Sequence, residues 1–243
     1  MLANMLQRFG RFLVLAAVFA AGAWTYSTGF IDDFLWHWPD VQYLTVQHIW
    51  LTAMSGSLAI AVGIPLGIVL SRPSMQRVAE SVMQVLNVGT TIPTLAVLAL
   101  SMSFLGIGTV PAVFALFVAT LLPITRNTFA GLKGISPALM EAAAGIGMSP
   151  VQRLFKVELP NALYVIFAGI RTALTINVGT VPLAFLIGAG GLGELIFTGI
   201  DLFDPAMMLA GAIPTALLAI AVDALIAVIA FLVVPRGVNP TLA

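Results

Sequence analysis

Cysteine is absent from all 243 residues, which excludes disulfides, thiolate metal sites and cysteine nucleophiles. Histidine occurs only as His37 and His48, too few for most histidine-ligated metal sites. Charge is scarce too. Asp, Glu, Lys and Arg make up 8% of the chain, against about 25% in soluble domains. The ten acidic and ten basic residues cancel, which argues against nucleic acid as a partner. What is present is hydrocarbon: 60% of the residues are hydrophobic. Such a chain cannot cover a globular surface with polar groups, so it reads as an all-α membrane protein.

A bilayer core needs about 20 apolar residues per helix. Six spans of this kind are expected, over 12–30, 47–70, 80–103, 109–129, 160–187 and 206–232. Alternating ten-residue strands are missing, which argues against a β-barrel. Charge then orients the spans. Arg8, Arg11, Arg72, Arg77, Arg126, Lys133, Arg153, Lys156 and Arg236 all fall on one side if both termini face the cytoplasm. The opposite loops hold Asp32, Asp33, Asp40, Glu194, Asp201 and Asp204 without Lys or Arg. The first span competes with a signal-peptide reading, because Ala21-Gly22-Ala23 resembles a cleavage site. An uncleaved span is the expectation.

One polar insert interrupts the apolar pattern between the fourth and fifth spans, EAAAGIGMSPVQRLFKVELP over 141–160. It reads as two short helices. Ser136-Pro137 is an N-cap with proline at the first helical position. Ser149-Pro150 begins the second helix, with Gln152 at capping-box spacing. Pro160 suits the first turn of the next span. The first helix carries small apolar residues around a single acid, Glu141. Such a face suits a partner's groove, or equally the lipid headgroups.

The order Glu141-Ala142-Ala143, then Gly147, then Val157, Leu159 and Pro160 resembles the EAA loop of binding-protein-dependent ABC importer permeases. That family prefers Ile where this chain has Val157. The resemblance implies a type I ABC importer permease architecture with a cytoplasmic coupling helix. It implies ATPase-coupling roles for Glu141, Ala142, Ala143, Gly147, Leu159 and Pro160. Two ATPase subunits, a second permease subunit (the same chain or a paralogue) and an extracytoplasmic substrate-binding protein are the implied partners, besides membrane lipid. No cofactor is expected in this chain, since ATP and Mg belong to the ATPase. The implied location is the bacterial inner membrane. The runs GIPLGIVLSRP, TIPTLAVLAL, LPITRNTFAGL, AGIRTAL and GAGGLGELIFTGI look like the osmoprotectant branch, whose importers carry glycine betaine, choline or carnitine. Importers of amino acids share much of this frame, so another small solute remains open, as more distantly does a channel or ion-driven carrier. The expected division is 1–45 for the first span and outer loop, 46–232 for the permease with its coupling loop at 136–160, and 233–243 for a tail.

Other features have competing readings. GAGGLG, Gly188 to Gly193, matches a dinucleotide string, but no strand–turn–helix unit surrounds it. Glu194 stands where a P-loop needs Lys, so ATP hydrolysis in this chain is not expected. Gly188, Gly190, Gly191 and Gly193 suit a tight turn and close packing, and the resemblance places them at the outer gate. Arg171 and Asp223 lie deep in the fifth and sixth spans, where charges tend to pair or face a wet cavity. Asn87, Thr90, Thr91, Asn177 and Thr180 sit in the echoing runs NVGTTIP and NVGTVP, as candidates for a polar pathway or for contacts between helices. Trp36 and Trp38 beside His37 suit an interfacial aromatic belt or a cage for a quaternary ammonium. Neither zincin nor serine-hydrolase motifs occur.

Overall fold

The computed structural model describes residues 15, 19, 22, 25–27, 29–89 and 91–238. The expected first span and Thr90 therefore lie largely or wholly outside the described residues. The described chain is helical throughout. In order come α1 (Phe30–Trp36), α2 (Trp38–Leu70), α3 (Gln76–Gly89), α4 (Thr94–Leu105), α5 (Thr109–Lys133), α6 (Pro137–Gly145), α7 (Pro150–Arg153), α8 (Leu159–Thr180), α9 (Gly193–Asp201) and α10 (Pro205–Val233).

Four helical stretches among the described residues are long and apolar enough to cross a membrane: Trp38–Leu70, Thr109–Lys133, Pro150–Ile187 and Pro205–Val233. At about 1.5 Å per residue, α2 is about 50 Å long and outreaches a ~30 Å hydrocarbon core. The expected span over 80–103 is not one straight helix. It forms two helices, Pro73–Gly89 and Thr94–Leu105, bent by 101°. Pro93 explains the break, because its ring disfavours helical geometry at Ile92 and its nitrogen has no proton to donate.

The second helix of the insert is also corrected. It is not separate from the fifth span. α7 runs into α8 through a π-helical turn at Leu154–Glu158. Pro160 is the cause: it cannot donate to the carbonyl of Lys156, so the helix widens just before it. Beyond Thr180 the rod tightens into a 3₁₀ helix over Val181–Ile187.

Helix contact rests on small residues. A Cβ at Gly63 would meet Ile124 Cγ2 at 3.0 Å, and one at Gly67 would meet Thr128 Cβ at 2.6 Å. The Gly63-x-x-x-Gly67 ridge thus brings α2 onto α5. One core joins α2, α5 and α8 through Ala59, Ile124, Ala162, Ile166 and Leu174. A second joins Leu51, Leu98, Leu116, Val181 and Ile187. A third, at the end opposite the insert, joins Val41, Leu44, Leu192, Leu195 and Ala210.

Candidate functional site

The insert is built by local rules. Pro137 opens α6, and Ser136 takes the N-cap position without a side-chain cap bond. The helix closes in a Schellman arrangement: Met148 N–H donates to the Ala143 carbonyl and Gly147 N–H to that of Ala144. Gly147 has φ of 80°, a left-handed conformation that glycine adopts without strain. Ser149 and Gln152 form the capping box in both directions, at 2.9 and 3.3 Å.

Glu141 and Ala142 of α6 and Gly147 just past it are exposed, beside the exposed Leu139 and Ile146, so the insert presents an apolar surface around one carboxylate. Ala143 is turned inward and buried, so its methyl group is not on that surface. Leu159 packs against the α2–α5–α8 core and Pro160 is half-buried, which anchors the exit of the insert.

That exit carries an ion pair with no signature in the sequence. Arg72, just past α2, donates from Nη1 to Glu158 Oε1 at 3.2 Å and from Nη2 to Oε2. Glu158 is buried, whereas the Arg72 side chain is 31% exposed. Arg72 also donates from Nε to the Ile68 carbonyl at 3.1 Å, so the last turn of α2 holds the guanidinium in place. Residues 86 apart are thereby joined, and the end of α2 is bound to the rod that leaves the insert.

A second pair lies deeper. Arg171 of α8 donates from Nε and Nη2 to the two carboxylate oxygens of Asp223 on α10. Thr175 adds a 3.4 Å hydroxyl contact to Asp223 Oδ1. Both charged side chains are part-exposed, 49% and 33%, and face a cavity of about 640 Å³ between the two helices. Tyr164, Phe167 and Phe231 supply its aromatic wall.

The polar pathway candidates are dispersed. Asn177 is buried and donates to Ser55 Oγ at 2.8 Å, across the α2–α8 contact. His48, not singled out from sequence, lies in the same seam and donates from Nε2 to the Val178 carbonyl at 3.0 Å. Thr180 donates to the Ile176 and Asn177 carbonyls, and Thr91 to that of Val88. Asn87 lines a different hollow of about 350 Å³ with Arg126 and Asn127.

The glycine run makes a tight turn. Gly188, Gly190 and Gly191 have φ of 77°, 77° and 85°. Gly191 N–H donates to Gln47 Oε1 at 3.0 Å. A Cβ on Gly193 would lie 2.0 Å from the Pro182 carbonyl oxygen, so the run is pressed against its own chain.

Residues 63–236 match the family model described as binding-protein-dependent transport system inner membrane component. The chain belongs to that family. Its members are inner-membrane subunits, and the apolar helices here fit a multi-pass membrane protein. The chain is 56% identical over 188 residues to the osmoprotectant import permease protein OsmY of Salmonella typhimurium, covering 77% of this chain and 80% of that protein. It is 41% identical over 200 residues to the choline transport system permease protein OpuBB of Bacillus subtilis, covering 82% and 91%. Among solved structures, it resembles a chain of the inward-facing MetNI methionine ABC transporter. The TM-score is 0.70 at 25% identity, covering 80% of this chain and 98% of that one. The fold is thus that of an ABC importer permease, and the relatives are transport subunits.

Proposed function

We propose that the chain is the permease of an ATP-driven importer for quaternary-amine osmoprotectants such as glycine betaine or choline. The observation that carries this reading is the 56% identity to an osmoprotectant permease over most of both chains. The EAA loop sits on the exposed α6, where a partner can reach it. Both termini and the insert face the cytoplasm in this reading, because the basic residues then gather on one side.

The chain does no covalent chemistry. A separate pair of ATPase subunits binds ATP with Mg and closes on α6, with Glu141 meeting a basic group of the ATPase. The motion passes through the Schellman turn and the capping box into the continuous α7–α8 rod. The Arg72–Glu158 pair shares it with α2. The glycine turn at Gly188–Gly193 lies at the outer gate, at the far end of the bundle. A second permease subunit completes the pathway, and a binding protein delivers solute from outside. The permease unit is 46–232, with 1–45 and 233–243 as flanks. Asn87, Thr91 and Thr180 are pathway candidates; Thr90 keeps that role only as a reading of the sequence. ATP shifts the equilibrium between inward- and outward-open states through its different affinity for each.

The likeness to the methionine transporter supports a second reading, the same machine carrying an amino acid. Uptake of labelled glycine betaine at high osmolarity, in hosts with and without the gene, separates the two. Gene-dependent uptake that choline or carnitine blocks supports the osmoprotectant reading. Uptake that is independent of the gene overturns it.

A further inference from the structure

The Arg171–Asp223 pair is placed where a purely structural ion pair is poorly served. Arg171 follows Leu159 by 12 residues, about 18 Å of helix, and Asp223 precedes Val233 by 10, about 15 Å. Both therefore lie within the spans. Charges at that depth are costly against hydrocarbon and line water or protein instead. Yet both side chains open onto the α8–α10 cavity, which is within the range that holds small ligands.

The chemistry of that cavity has two ends. A guanidinium carries five N–H donors, and Asp223 takes those of Nε and one of Nη2. The others remain for a carboxylate. The same cavity is lined by the Asp223 carboxylate and three aromatic rings, groups that favour a quaternary ammonium. The pair is neutral in sum. An anion or a cation bound alone would leave net charge within the membrane, whereas a zwitterion adds none.

We propose that Arg171, Asp223 and the wall of Tyr164, Phe167 and Phe231 form a binding site for a small zwitterion that joins a quaternary ammonium to a carboxylate. This rests on the osmoprotectant reading and adds a solute site within the membrane. The carboxylate lies against Arg171, and the ammonium lies between Asp223 and the rings.

The test is equilibrium binding of labelled glycine betaine to the purified permease–ATPase complex in nanodiscs, without binding protein. Gene-dependent betaine uptake in cells is measured in parallel. The expected result is saturable binding that betaine displaces about tenfold better than choline, which has no carboxylate. The charge swap Arg171→Asp with Asp223→Arg is expected to weaken binding by at least about tenfold, and Phe231→Leu by several-fold. If the swap does not assemble, Phe231→Leu and Tyr164→Leu carry the test. Absent binding, or binding unchanged in the aromatic variants, overturns the site even where cellular uptake persists. Loss of gene-dependent uptake in the wild type overturns the osmoprotectant reading itself. Phosphocholine lipid headgroups share the chemistry, so nanodiscs with and without phosphatidylcholine are compared. A solute site keeps its affinity within about twofold; a drop beyond about tenfold in phosphatidylcholine overturns the solute assignment.

Discussion

Among the described residues, two arginine–carboxylate pairs join distant parts of the chain, with the same chemistry and different surroundings. Arg72–Glu158 closes at the insert end of the bundle, with its carboxylate almost sealed from solvent. Arg171–Asp223 lies well inside the spans, with both partners open to a cavity. With its carboxylate buried, the first pair acts as a fastener, since little but Arg72 can reach the Glu158 oxygens. An open pair keeps donors and an acceptor available to a ligand. The difference follows from the neighbours. Val157 and Leu159 beside Glu158 are buried or half-buried. Near Asp223 the small residues Ala227 and Ala230 of α10 line the cavity onto which Arg171 opens.

The comparison breaks most plainly if the sealed pair is opened. Arg72→Met leaves the buried Glu158 carboxylate without its cation. The expected loss is about 2 kcal/mol of stability, discounted because the guanidinium is partly solvated. Thermal unfolding of the purified protein reads it. The double variant Arg72→Met with Glu158→Leu should recover most of that stability, because an apolar pair of similar volume restores packing without a stranded charge. Recovery of stability without recovery of uptake would identify the pair as part of the transmission path.

Arg171→Met sharpens the contrast from the other side. Water in the cavity solvates the carboxylate left behind, so the melting temperature should fall less than for Arg72→Met. A larger fall would make this pair the principal fastener and reverse the assignment.

Ser149→Ala removes one half of the capping box at the start of the rod that carries Glu158. The expected cost is about 1 kcal/mol, seen as faster hydrogen exchange in α7. Faster exchange confined to α7 would show that the Arg72–Glu158 contact holds the rest of the rod.

Glu141→Arg has the smallest expected effect on stability, within about 0.5 kcal/mol, because the side chain is exposed. Uptake should nonetheless be lost while the protein still assembles in the membrane. Unchanged uptake would remove Glu141 from the coupling role.

Much of this was legible in the sequence where a local rule decides the outcome. The spans now seen as α2, α5, α8 and α10 follow from apolar length alone. Ser149 and Gln152 cap as their spacing predicts, and the positive φ at Gly147 suits the residue type. Less was legible where structure depends on distant residues. Nothing local links Arg72 to Glu158, or His48 to Val178 across 130 positions. Pro93 and Pro160 were visible, but their consequences differ: one breaks a span by 101°, the other only widens a turn. That difference depends on the packing that holds the chain on either side. α7–α8 continues into the core through Val157, Leu159 and Ala162, whereas α3 buries only Ala79.

The most direct measurement is accumulation of labelled glycine betaine by proteoliposomes holding this chain, its ATPase and its binding protein. The account predicts accumulation only with ATP and all components present, and loss of accumulation in Glu141→Arg with the complex intact. Betaine that crosses the membrane without ATPase or ATP would contradict it and make the chain a channel or ion-driven carrier.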